Sequence, residues 1–415
     1  MKKALTSLIP TPILSAYHFC LAALAAFLYG FPSRNIAVVA VTGTKGKSST
    51  LEYLNAIFES AGLQTALSST IRFKIGDIST PNLRRQTLPG RFFVQKFLSQ
   101  AVRAGCKIAL IEMTSEGARQ HRHRAINLDA LVFLNLAPEH IESHGSLEKY
   151  ADAKFELGTQ LARSKKRPRF MVVNADDAQA GRYLTLPVEQ VVPFSLGQVE
   201  PWTTHEHGGE FTFNGQKISV HLPGTFSLMN ALAAATLAHA MEVPTAAIKS
   251  GIESVQKILG RAEEISEGQG FSVIVDYAHT PDSLVALYGA YPARRKICVL
   301  GSTGGGRDLW KRPVMGGIAD NECETIILTN EDPYDEDPRS IVDMIASGIT
   351  QKKPEIVMDR REAMRRAFSL ARASDVVLIT GKGTDPTIQG PRGTSIPWSD
   401  ATVAREELHR LLKEQ

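Results

Sequence analysis

A glycine-rich turn between an apolar strand pattern and a helix pattern constrains this sequence most. The stretch reads VVAVTGTKGKSST, from Val38 to Thr50. Glycines let backbone amides face an anion, and the first turn of the helix that follows favours negative charge. A strand, a turn and a helix in this order also form the basic unit of a parallel sheet. The stretch therefore predicts a phosphate-binding loop in an α/β fold.

The remainder of the chain repeats the alternation of strands and helices. Helix patterns cover Ser48 to Ala61 and Ser146 to Ser164, and short apolar runs lie between such segments. This alternation predicts parallel sheets with crossover helices. An alternating segment around Asn214-Gly215 predicts a hairpin, and a helical run extends from Ser227 to Val255. The predicted strands are Asn35 to Val41, Lys107 to Met113, Ala130 to Leu136, Phe170 to Asn174, Phe271 to Tyr277, Lys296 to Leu300, Thr325 to Leu328 and Val376 to Thr380.

The strands fall into two groups, which predicts two doubly wound domains. The predicted fold class is α/β, with a central P-loop ATPase-type doubly wound sheet plus a C-terminal Rossmann-like α/β domain. The segment Ile258 to Glu264 looks like the joint between them. We therefore expect an apolar helix in residues 1–34, an ATP-binding domain in 35–258 and a C-terminal domain in 259–415. A chain of 415 residues can bury more than one core.

Charge and cysteine content narrow the partners and the compartment. The formal net charge is +4, which suits anionic substrates but falls short of a nucleic-acid footprint, so we expect no nucleic-acid partner. The four cysteines lie far apart, and their spacing predicts neither a zinc site nor a disulfide framework. A reducing cytoplasm fits this pattern. These cysteines are Cys20, Cys106, Cys298 and Cys323.

An apolar segment, Ile13 to Phe31, follows the basic start Met1-Lys2-Lys3. Its length is close to the roughly 20 residues that a bilayer span requires. Three alternatives stay open: a cleaved signal peptide, a helix on or in the inner membrane, and a helix packed on the protein itself or on a dimer partner. The second is our preference, so we predict a cytoplasmic protein with possible contact at the inner face of the membrane.

The turn itself ends like a Walker A loop. Gly43-Thr44-Lys45-Gly46-Lys47-Ser48 places Lys47 near the outer phosphates of a nucleotide and Ser48 near magnesium. The usual first glycine is Val41 here, and a bare glycine-lysine-serine run also occurs in purely structural turns.

The compressed form T-G-T-x-G-K-[ST] resembles the Mur ligase superfamily, which forms amide bonds with ATP. The chain is most similar to the MurE type, which adds the third residue to UDP-N-acetylmuramoyl-dipeptide. Further segments resemble the family in the same order along the chain. They are IEMTSEGARQHR at Ile111 to Arg122, NLAPEHIESHGSLEKYADAKFEL at Asn135 to Leu157, then LPGTFSLMNALAA, GRAEE, VDYAHTPDSL and GGGRDLWKRPVMGGIA.

The resemblance implies that ATP activates a carboxylate as an acyl phosphate, which an amine then attacks. Both partners of the first step are anions, so cations must bring them together. Ser48 and Glu112 would bind one magnesium, and His140 a second. Lys154 matches a lysine that carbon dioxide converts to a carbamate. The alternative for Lys154 is an exposed helix lysine that pairs with Glu148 or Glu156.

Nucleotide contacts carry over from the family in the same way. Asn230 resembles the adenine contact, with Ser227 where the family has a second asparagine. Asp276 resembles the ribose-binding carboxylate, while Arg261 and Lys311 resemble phosphate contacts of the C-terminal domain. Such a division implies domain closure over ATP. Asp276 as a turn cap and Arg261 as a solvated linker residue are the alternatives. The implied cofactors are ATP, Mg2+ and carbon dioxide as lysine carbamate, and Lys47, His140, Lys154 and Lys311 are the implied catalytic set.

The acceptor site departs from the family pattern. Thr114, Gln120 and Arg122 stand where the family holds the muramoyl peptide, and Thr87-Leu88-Pro89 replaces Thr-Thr-Pro. His121 and His123 alternate with two arginines, which predicts a basic strip that faces an anion.

The family's N-terminal uridine-binding domain has no counterpart in the 34 residues before Asn35. We therefore expect that the uridine diphosphate is held elsewhere, that a partner holds it, or that the acceptor is not UDP-linked. A lipid-linked muramoyl peptide is one such acceptor.

The incoming amino acid is a further departure. The family reads diaminopimelate with Asp-Asn-Pro-Arg, whereas this chain has Glu331-Asp332-Pro333-Tyr334, and a tyrosine cannot pair with a carboxylate in two places. Arg307 would still meet the α-carboxylate. The family's GKGHE is Gly381-Lys382-Gly383-Thr384-Asp385 here. With Glu331, Asp332 and Asp385 in the pocket, we expect a distal ammonium, as in lysine or ornithine.

The predicted function is thus an ATP-dependent ligase that adds a free amino acid to a muramoyl-peptide precursor of peptidoglycan. Two alternatives stay open. One is another ligase of the superfamily, of the folylpolyglutamate or polyglutamate type. The other is a nucleotide-binding membrane adaptor without catalysis, suggested by Glu116, by Tyr334 and by the short N-terminal region.

Overall fold

The structure is a computed structural model that describes residues 11–139 and 141–414. An eight-stranded sheet organises the first part of the chain. Its order is β4-β3-β2-β5-β1-β6-β7-β8, and β3 alone runs antiparallel to the other strands, since it pairs antiparallel with both β2 and β4. The strands are β1 (Ala37–Thr42), β2 (Thr65–Ser68), β3 (Arg72–Ile75), β4 (Ile78–Pro81), β5 (Ile108–Glu112), β6 (Ala130–Phe133), β7 (Phe170–Asn174) and β8 (Gln190–Phe194).

Helices cover both faces of this sheet because side chains alternate along each strand. Val39 and Val41 of β1 join one buried cluster, whereas Val38 and Ala40 join another on the opposite face. A parallel sheet that is buried on both faces needs apolar residues at successive positions, as the sequence indicates. The helices are α1 (Thr11–Leu28), α2 (Lys47–Ser60), α3 (Arg91–Arg103), α4 (Ser115–Arg119), α5 (Ile141–His144), α6 (Leu147–Ala162), α7 (Ala180–Leu184), α8 (Thr225–Ala240) and α9 (Thr245–Ser254).

A small antiparallel sheet precedes α8, and it contains the predicted hairpin. Its strands are β9 (Thr203–His205), β10 (Gly208–Phe213) and β11 (Gln216–Val220). Asn214 and Gly215 have φ values of 46° and 75°, as the two central residues of a type I′ turn require. The single helical run predicted from Ser227 to Val255 is wrong, because the chain forms two helices there. Pro244 starts the second one and lacks the N–H that a continuous helix needs.

A second sheet of six strands organises the C-terminal part, in the order β12-β13-β17-β14-β15-β16, with β12 antiparallel. A short two-stranded sheet, β18 with β19, lies beside it. The strands are β12 (Glu263–Ile265), β13 (Ser272–Val275), β14 (Lys296–Leu300), β15 (Thr325–Leu328), β16 (Glu355–Ile356), β17 (Val376–Ile379), β18 (Thr387–Gln389) and β19 (Ser395–Pro397). The helices are α10 (Pro281–Gly289), α11 (Lys311–Glu322), α12 (Pro338–Ala346), α13 (Arg360–Leu370) and α14 (Asp400–Glu414), with 3-10 turns at Pro32–Arg34, Leu196–Val199 and Pro391–Gly393.

The absence of a disulfide, expected from the cysteine spacing, is contradicted. Cys298 on β14 bonds to Cys323, and their Cα atoms lie 6.1 Å apart. Cys323 ends α11 just before β15, which is the neighbour of β14 in the sheet. The crossover helix thus returns the chain beside its starting strand, so residues 25 positions apart meet. Cys20 and Cys106 are free.

The N-terminal helix α1 packs on α3. Its inward face is made of small residues, and Ala22, Ala25 and Ala26 are buried. Large apolar side chains point outward, among them Phe27 with 69% of its surface exposed. Packing on the protein's own surface agrees with the third alternative for this segment. Within residues 11–139 and 141–414, no helix combines the length and the hydropathy that a bilayer span requires.

Candidate active site

The phosphate-binding loop lies between β1 and α2, at the carboxyl end of the central strand. Gly46 has φ 85°, and a Cβ there would lie 2.2 Å from Oδ1 of Asn230, so glycine is required. Asn135 supports the loop, since its Oδ1 accepts from Thr44 N at 3.1 Å and from Lys45 N at 2.9 Å. The Lys47 ammonium donates to the carbonyls of Gly43 and Thr44. Burial lowers the pKa of Lys47.

The predicted magnesium ligands Ser48 and Glu112 meet beside the loop. The Ser48 hydroxyl donates to Oε2 of Glu112 at 2.8 Å, because β1 and β5 are neighbouring parallel strands that end together. Thr70 also donates to Glu112, through its backbone N–H at 2.8 Å and its hydroxyl at 3.1 Å. A hydroxyl and a carboxylate are hard oxygen donors, so this pair fits Mg2+ completed by water and phosphate oxygens. His140, the predicted ligand of a second magnesium, lies outside the described residues.

Lys154 is buried on α6, beside the same loop. Its Nζ donates to the Gly43 carbonyl at 2.6 Å and lies 4.7 Å from the centre of the Tyr150 ring. Burial sets the pKa of Lys154 well below its ordinary value, and the nearby charge of Lys47 lowers it further. The alternative of an exposed helix lysine is wrong, because only 2% of Lys154 is exposed.

The C-terminal domain contributes the predicted Arg261, Asp276 and Lys311. The Arg261 guanidinium lies 4.6 Å from the centre of the Tyr277 ring. Both carboxylate oxygens of Asp276 accept backbone N–H groups, from Ala262 and Ala278, at 2.6 Å each. Asp276 therefore caps this turn, as the alternative for it holds, and also faces the cavity described next. Lys311 begins α11, and burial lowers its pKa.

A cavity of about 450 Å³ lies between the two domains. Its volume is within the range of small-molecule sites. Several of the predicted nucleotide contacts meet here, since both domains line its wall, whereas Lys47, Ser48 and Lys311 are not among the lining residues. These residues are Lys45, Gly46, Ser227, Asn230, Arg261 and Asp276.

Two residues that the sequence did not single out, Glu139 and His279, join the domains beside this cavity. Oε1 of Glu139 lies 3.3 Å from Lys45 Nζ and 2.8 Å from Nε2 of His279. Burial, with the charge of Lys45, lowers the pKa of His279 to about 4. The sequence could have indicated both residues, because each lies inside a segment that resembles the family.

The predicted acceptor residues lie near the end of β5. The Thr87 hydroxyl is 2.8 Å from that of Thr70, and Thr114 caps α4 by accepting the Gly117 N–H at 3.1 Å. Oε1 of Gln120 accepts from Nη2 of Arg122 at 2.7 Å, and Nη1 of Arg122 donates to the Leu88 carbonyl.

The predicted basic strip holds for only two of its four residues. His123 is fully buried, which lowers its pKa to about 3. Arg124 turns toward Glu156, with an ion pair of 2.6 Å. Alternation along a loop does not place every second side chain on one face, so only His121 and Arg122 stay near the acceptor residues.

The acidic pocket predicted for the incoming amino acid contains two cations of the chain itself. Lys382, fully buried, lies 2.9 Å from Asp332 and 3.5 Å from Asp385. Arg85 reaches over from the central domain, with Nη2 at 3.0 Å from Asp332 and 3.9 Å from Asp385. It also lies 3.5 Å from the Tyr334 hydroxyl. The excess negative charge inferred from the sequence is therefore largely balanced. Nothing in the sequence around Arg85 indicates that it would enter this pocket.

The remaining pocket residues are close by. Glu331 accepts from the Thr303 hydroxyl at 2.8 Å through Oε1, while its Oε2 has no hydrogen-bond partner within the described part of the chain. A Cβ on Gly381 would lie 2.2 Å from that oxygen, so glycine is needed for the approach. Arg307 lies 5.2 Å from the centre of the Tyr334 ring.

Two α/β domains around a phosphate loop, with oxygen ligands for magnesium and a buried amine beside it, define an enzyme that activates its substrate with a nucleotide. Comparison with known proteins gives the family. The model of the Mur ligase middle domain matches residues 41–238, and that of the Mur ligase glutamate ligase domain matches 260–383. The chain belongs to the Mur ligase family and is an ATP-dependent ligase that forms amide bonds; the predicted fold class is confirmed.

Individual relatives agree with this assignment. A UDP-N-acetylmuramyl-tripeptide synthetase of Roseiflexus sp. (strain RS-1) is 36% identical over 439 residues, covering 97% of this chain and 85% of the relative. A UDP-N-acetylmuramoyl-L-alanyl-D-glutamate--2,6-diaminopimelate ligase of Halalkalibacterium halodurans is 32% identical, with coverage of 96% and 84%. A solved structure of a ligase with the same name superposes with a TM-score of 0.61 at 27% identity, covering 91% of this chain and 79% of that one.

Proposed function

We propose that this ligase adds a free amino acid to a muramoyl-peptide precursor of peptidoglycan, with ATP and Mg2+. One observation carries the proposal: Lys47, Lys154 and the pair Ser48–Glu112 surround a single phosphate loop. Such a cluster serves a reaction between anions, as when a carboxylate attacks the γ-phosphate. The names of the relatives support the muramoyl peptide over a folate or polyglutamate acceptor.

Each residue has a task in this reaction. The loop amides and Lys47 would bind the phosphates, and Ser48 with Glu112 would hold Mg2+, which would neutralise phosphate charge. Arg261 and Lys311 approach the same nucleotide from the C-terminal domain. Thr87 and Arg122 orient the acceptor, so that its carboxylate reaches the γ-phosphate. Arg307 would bind the α-carboxylate of the amino acid, whose amine displaces the phosphate.

Lys154 would work as a carbamate. Its lowered pKa supplies the neutral amine that carbon dioxide requires. A bond forms between Nζ and the carbon, the nitrogen loses a proton, and the side chain becomes an anion. The carbamate oxygens cannot donate to the Gly43 carbonyl as the ammonium does, and they would instead be anionic oxygen ligands for Mg2+ beside the loop. His140 would assist as a ligand of a second magnesium.

We infer a cationic side chain for the added amino acid. Arg85 already places a guanidinium between Asp332, Asp385 and Tyr334, so these groups bind a cation in the closed molecule. The distal ammonium of lysine or ornithine would replace it. Glu331, whose Oε2 has no partner among the described residues, would complete the pocket with Gly381 behind it.

The test is release of phosphate from ATP with UDP-N-acetylmuramoyl-dipeptide and a panel of amino acids. We expect turnover with lysine or ornithine ahead of diaminopimelate. If diaminopimelate were the best substrate, the inference about the cationic side chain would fail. If the protein bound ATP but released no phosphate with any muramoyl peptide, the non-catalytic adaptor would be correct.

Contact of α1 with the membrane is a second proposal. It rests on the outward face of the helix, where Ile13, Phe19, Phe27 and Leu28 are each more than half exposed. Such a face can lie in the lipid interface without spanning it. Fractionation of cells that express the full chain, compared with an Ile13→Ser/Phe27→Ser variant, tests it. Recovery of both proteins outside the membrane fraction would end the proposal.

A further inference from the structure

Two arginines and two histidines meet where α1 contacts the loop after α4. They are His18 on α1, Arg91 at the start of α3, and His121 and Arg122 on the loop after α4. The Ser15 hydroxyl of α1 is 2.7 Å from Nε2 of His121, which fixes the helix against the loop. The cluster is therefore built from three separate segments of the chain.

Neutral groups hold the two arginines in place. Arg91 donates to the Gln120 carbonyl, and Arg122 donates to the Leu88 carbonyl and to Oε1 of Gln120. Carbonyl oxygens orient a guanidinium without cancelling its charge. The positive charge of both arginines thus stays available to a ligand.

The nearby carboxylates are engaged with other cations. Glu116 is exposed, lies 3.6 Å from Arg119 and accepts from Gln120 Nε2 at 2.6 Å. Glu156 pairs with Arg124 at 2.6 Å and with Arg163 at 3.5 Å. The phenol of Tyr17 is the remaining acidic group that acts on Arg91. The cluster therefore carries an excess of positive charge.

Two further properties indicate that an anion is missing from this cluster. Three buried nitrogens have no hydrogen-bond partner among the described residues: Nδ1 of His18, Nδ1 of His121 and Nε of Arg91. Burial lowers the pKa of His18, and the positive charges of Arg91, His121 and Arg122 lower it further, while the exposed Glu116, which also acts on Arg122, opposes them. A bound anion would satisfy these nitrogens and relieve the repulsion.

We propose that His18, Arg91, His121 and Arg122 form a phosphate-binding site, which holds the diphosphate that joins the muramoyl peptide to its carrier. The inference rests on the proposed function, since it takes the acceptor to be a muramoyl peptide. Arg122 donates to the carbonyl of Leu88, next to Thr87, so the site adjoins the predicted acceptor residues. The N-terminal helix thereby takes part in substrate binding through His18.

Direct binding of inorganic pyrophosphate to the full chain is the first test, by calorimetry without magnesium. A Lys47→Ala background removes the ammonium of the phosphate loop, which would otherwise bind the same probe. We expect Arg91→Gln to weaken binding about tenfold or more, since a charge-assisted hydrogen bond is lost. Arg91→Lys should restore part of it. The matched control is Arg103→Gln, an exposed residue on the same helix, which should bind as the background does.

Equal pyrophosphate affinity of the Arg91→Gln and Arg103→Gln proteins would overturn the proposal. A thermal melt of each protein separates loss of the site from loss of folding, and Arg91→Lys keeps the positive charge of the side chain. His18→Gln supplies an independent variant on α1, for which we expect a smaller weakening in the same direction.

Steady-state kinetics with three acceptors identify the source of the diphosphate. We expect Arg91→Gln to raise KM about tenfold for UDP-linked and lipid-diphosphate-linked muramoyl dipeptide and to leave KM unchanged for the phosphate-free form. An effect with one carrier alone would assign the site to that carrier. An equal rise for the phosphate-free acceptor would contradict the site. If no muramoyl acceptor were used at all, the proposed function would fail, while the pyrophosphate titration would still decide the anion site.

Discussion

Burial decides the chemistry of Lys154. An exposed helix lysine would be protonated and inert toward carbon dioxide, whereas this one is enclosed by Gly43, Tyr150 and the neighbouring charge of Lys47. The cost of burying an ammonium makes the neutral amine accessible at moderate pH. Because Lys154 lies beside the phosphate loop, its carbamate would form next to the predicted nucleotide site.

We predict that Lys154→Ala lowers the rate of phosphate release at least a hundredfold, an effect of about 3 kcal/mol on the barrier. Activity of the unchanged enzyme should fall when bicarbonate is removed from the buffer. Lys149→Ala is the matched control, because Lys149 is exposed on the same helix. Full activity of Lys154→Ala in buffer without bicarbonate would contradict the carbamate.

His123 is a second residue whose burial has a measurable result. Neither ring nitrogen has a hydrogen-bond partner among the described residues, and burial with the charges of Arg124, His121 and Arg163 lowers its pKa to about 3. The unfolded chain therefore binds a proton near pH 6.5, while the folded chain does not until about pH 3. This histidine makes stability rise with pH across that window.

We predict that His123→Leu removes part of this pH dependence. When the pH falls from 7 to 5, the unchanged protein should lose about 2 kcal/mol more of its free energy of unfolding than the variant loses, because the variant lacks one titrating group. Denaturant unfolding at both pH values measures it. His207→Leu, on the exposed turn between β9 and β10, should follow the unchanged protein, and parallel pH curves for all three proteins would refute the interpretation.

At the scale of elements, the junction of β1, the loop and α2 depends on close packing as well as on backbone conformation. Gly46 precedes α2 and Gly62 follows it, and both have positive φ, of 85° and 78°. A Cβ at Gly46 would strike Asn230 of α8, whereas nothing lies within 4 Å of a Cβ at Gly62. The two positions thus share the backbone strain but differ in the contact.

We predict that Gly46→Ala raises KM for ATP at least tenfold, because the loop must move away from Asn230. Gly62→Ala should leave that KM unchanged, although both variants lose about 1 kcal/mol of stability through the left-handed backbone. ATP-dependent phosphate release and thermal melts measure the two effects. A similar KM for both variants would show that the approach to α8 does not matter.

At the scale of the whole molecule, a hydrogen bond and ion pairs hold the two domains together around the cavity. Glu139 bonds to His279 beside the nucleotide cavity, and Arg85 pairs with Asp332 at the amino-acid pocket. Arg294 pairs with Glu206 at 2.8 Å on another side of the joint. The described arrangement is thus a closed one, in which the central domain supplies a cation to the pocket of the other.

We predict that Arg85→Met lowers KM for lysine or ornithine several-fold and leaves KM for ATP unchanged, because the substrate no longer displaces a guanidinium. Arg84→Met is the control, since Arg84 is exposed and lies over the Phe93 ring instead. Amino-acid titrations of both variants decide the question. A higher KM in Arg85→Met would mean that Arg85 binds the substrate rather than occupying its place.

Much of the architecture could be predicted from local patterns. Apolar runs located the strands Phe170–Asn174, Lys296–Leu300 and Thr325–Leu328 at their observed bounds, since a strand buried on both faces leaves a continuous apolar signal. Asn214-Gly215 located the hairpin. The broken helix at Pro244 was within reach of the same reasoning, because proline is a local signal. The limits of the three predicted domains stay predictions.

The candidate site, too, contains some features that the sequence predicts and others that it does not. By itself, the sequence determined the phosphate loop, its serine and lysine, and the family, because these depend on residues that are adjacent in the chain. Only the tertiary structure decided that Lys154 is buried, that Cys298 meets Cys323, that Arg85 enters the amino-acid pocket and that His18 joins Arg91 and Arg122. The physical reason is that burial and charge pairing depend on distances between segments far apart in the chain, and no local pattern records those distances.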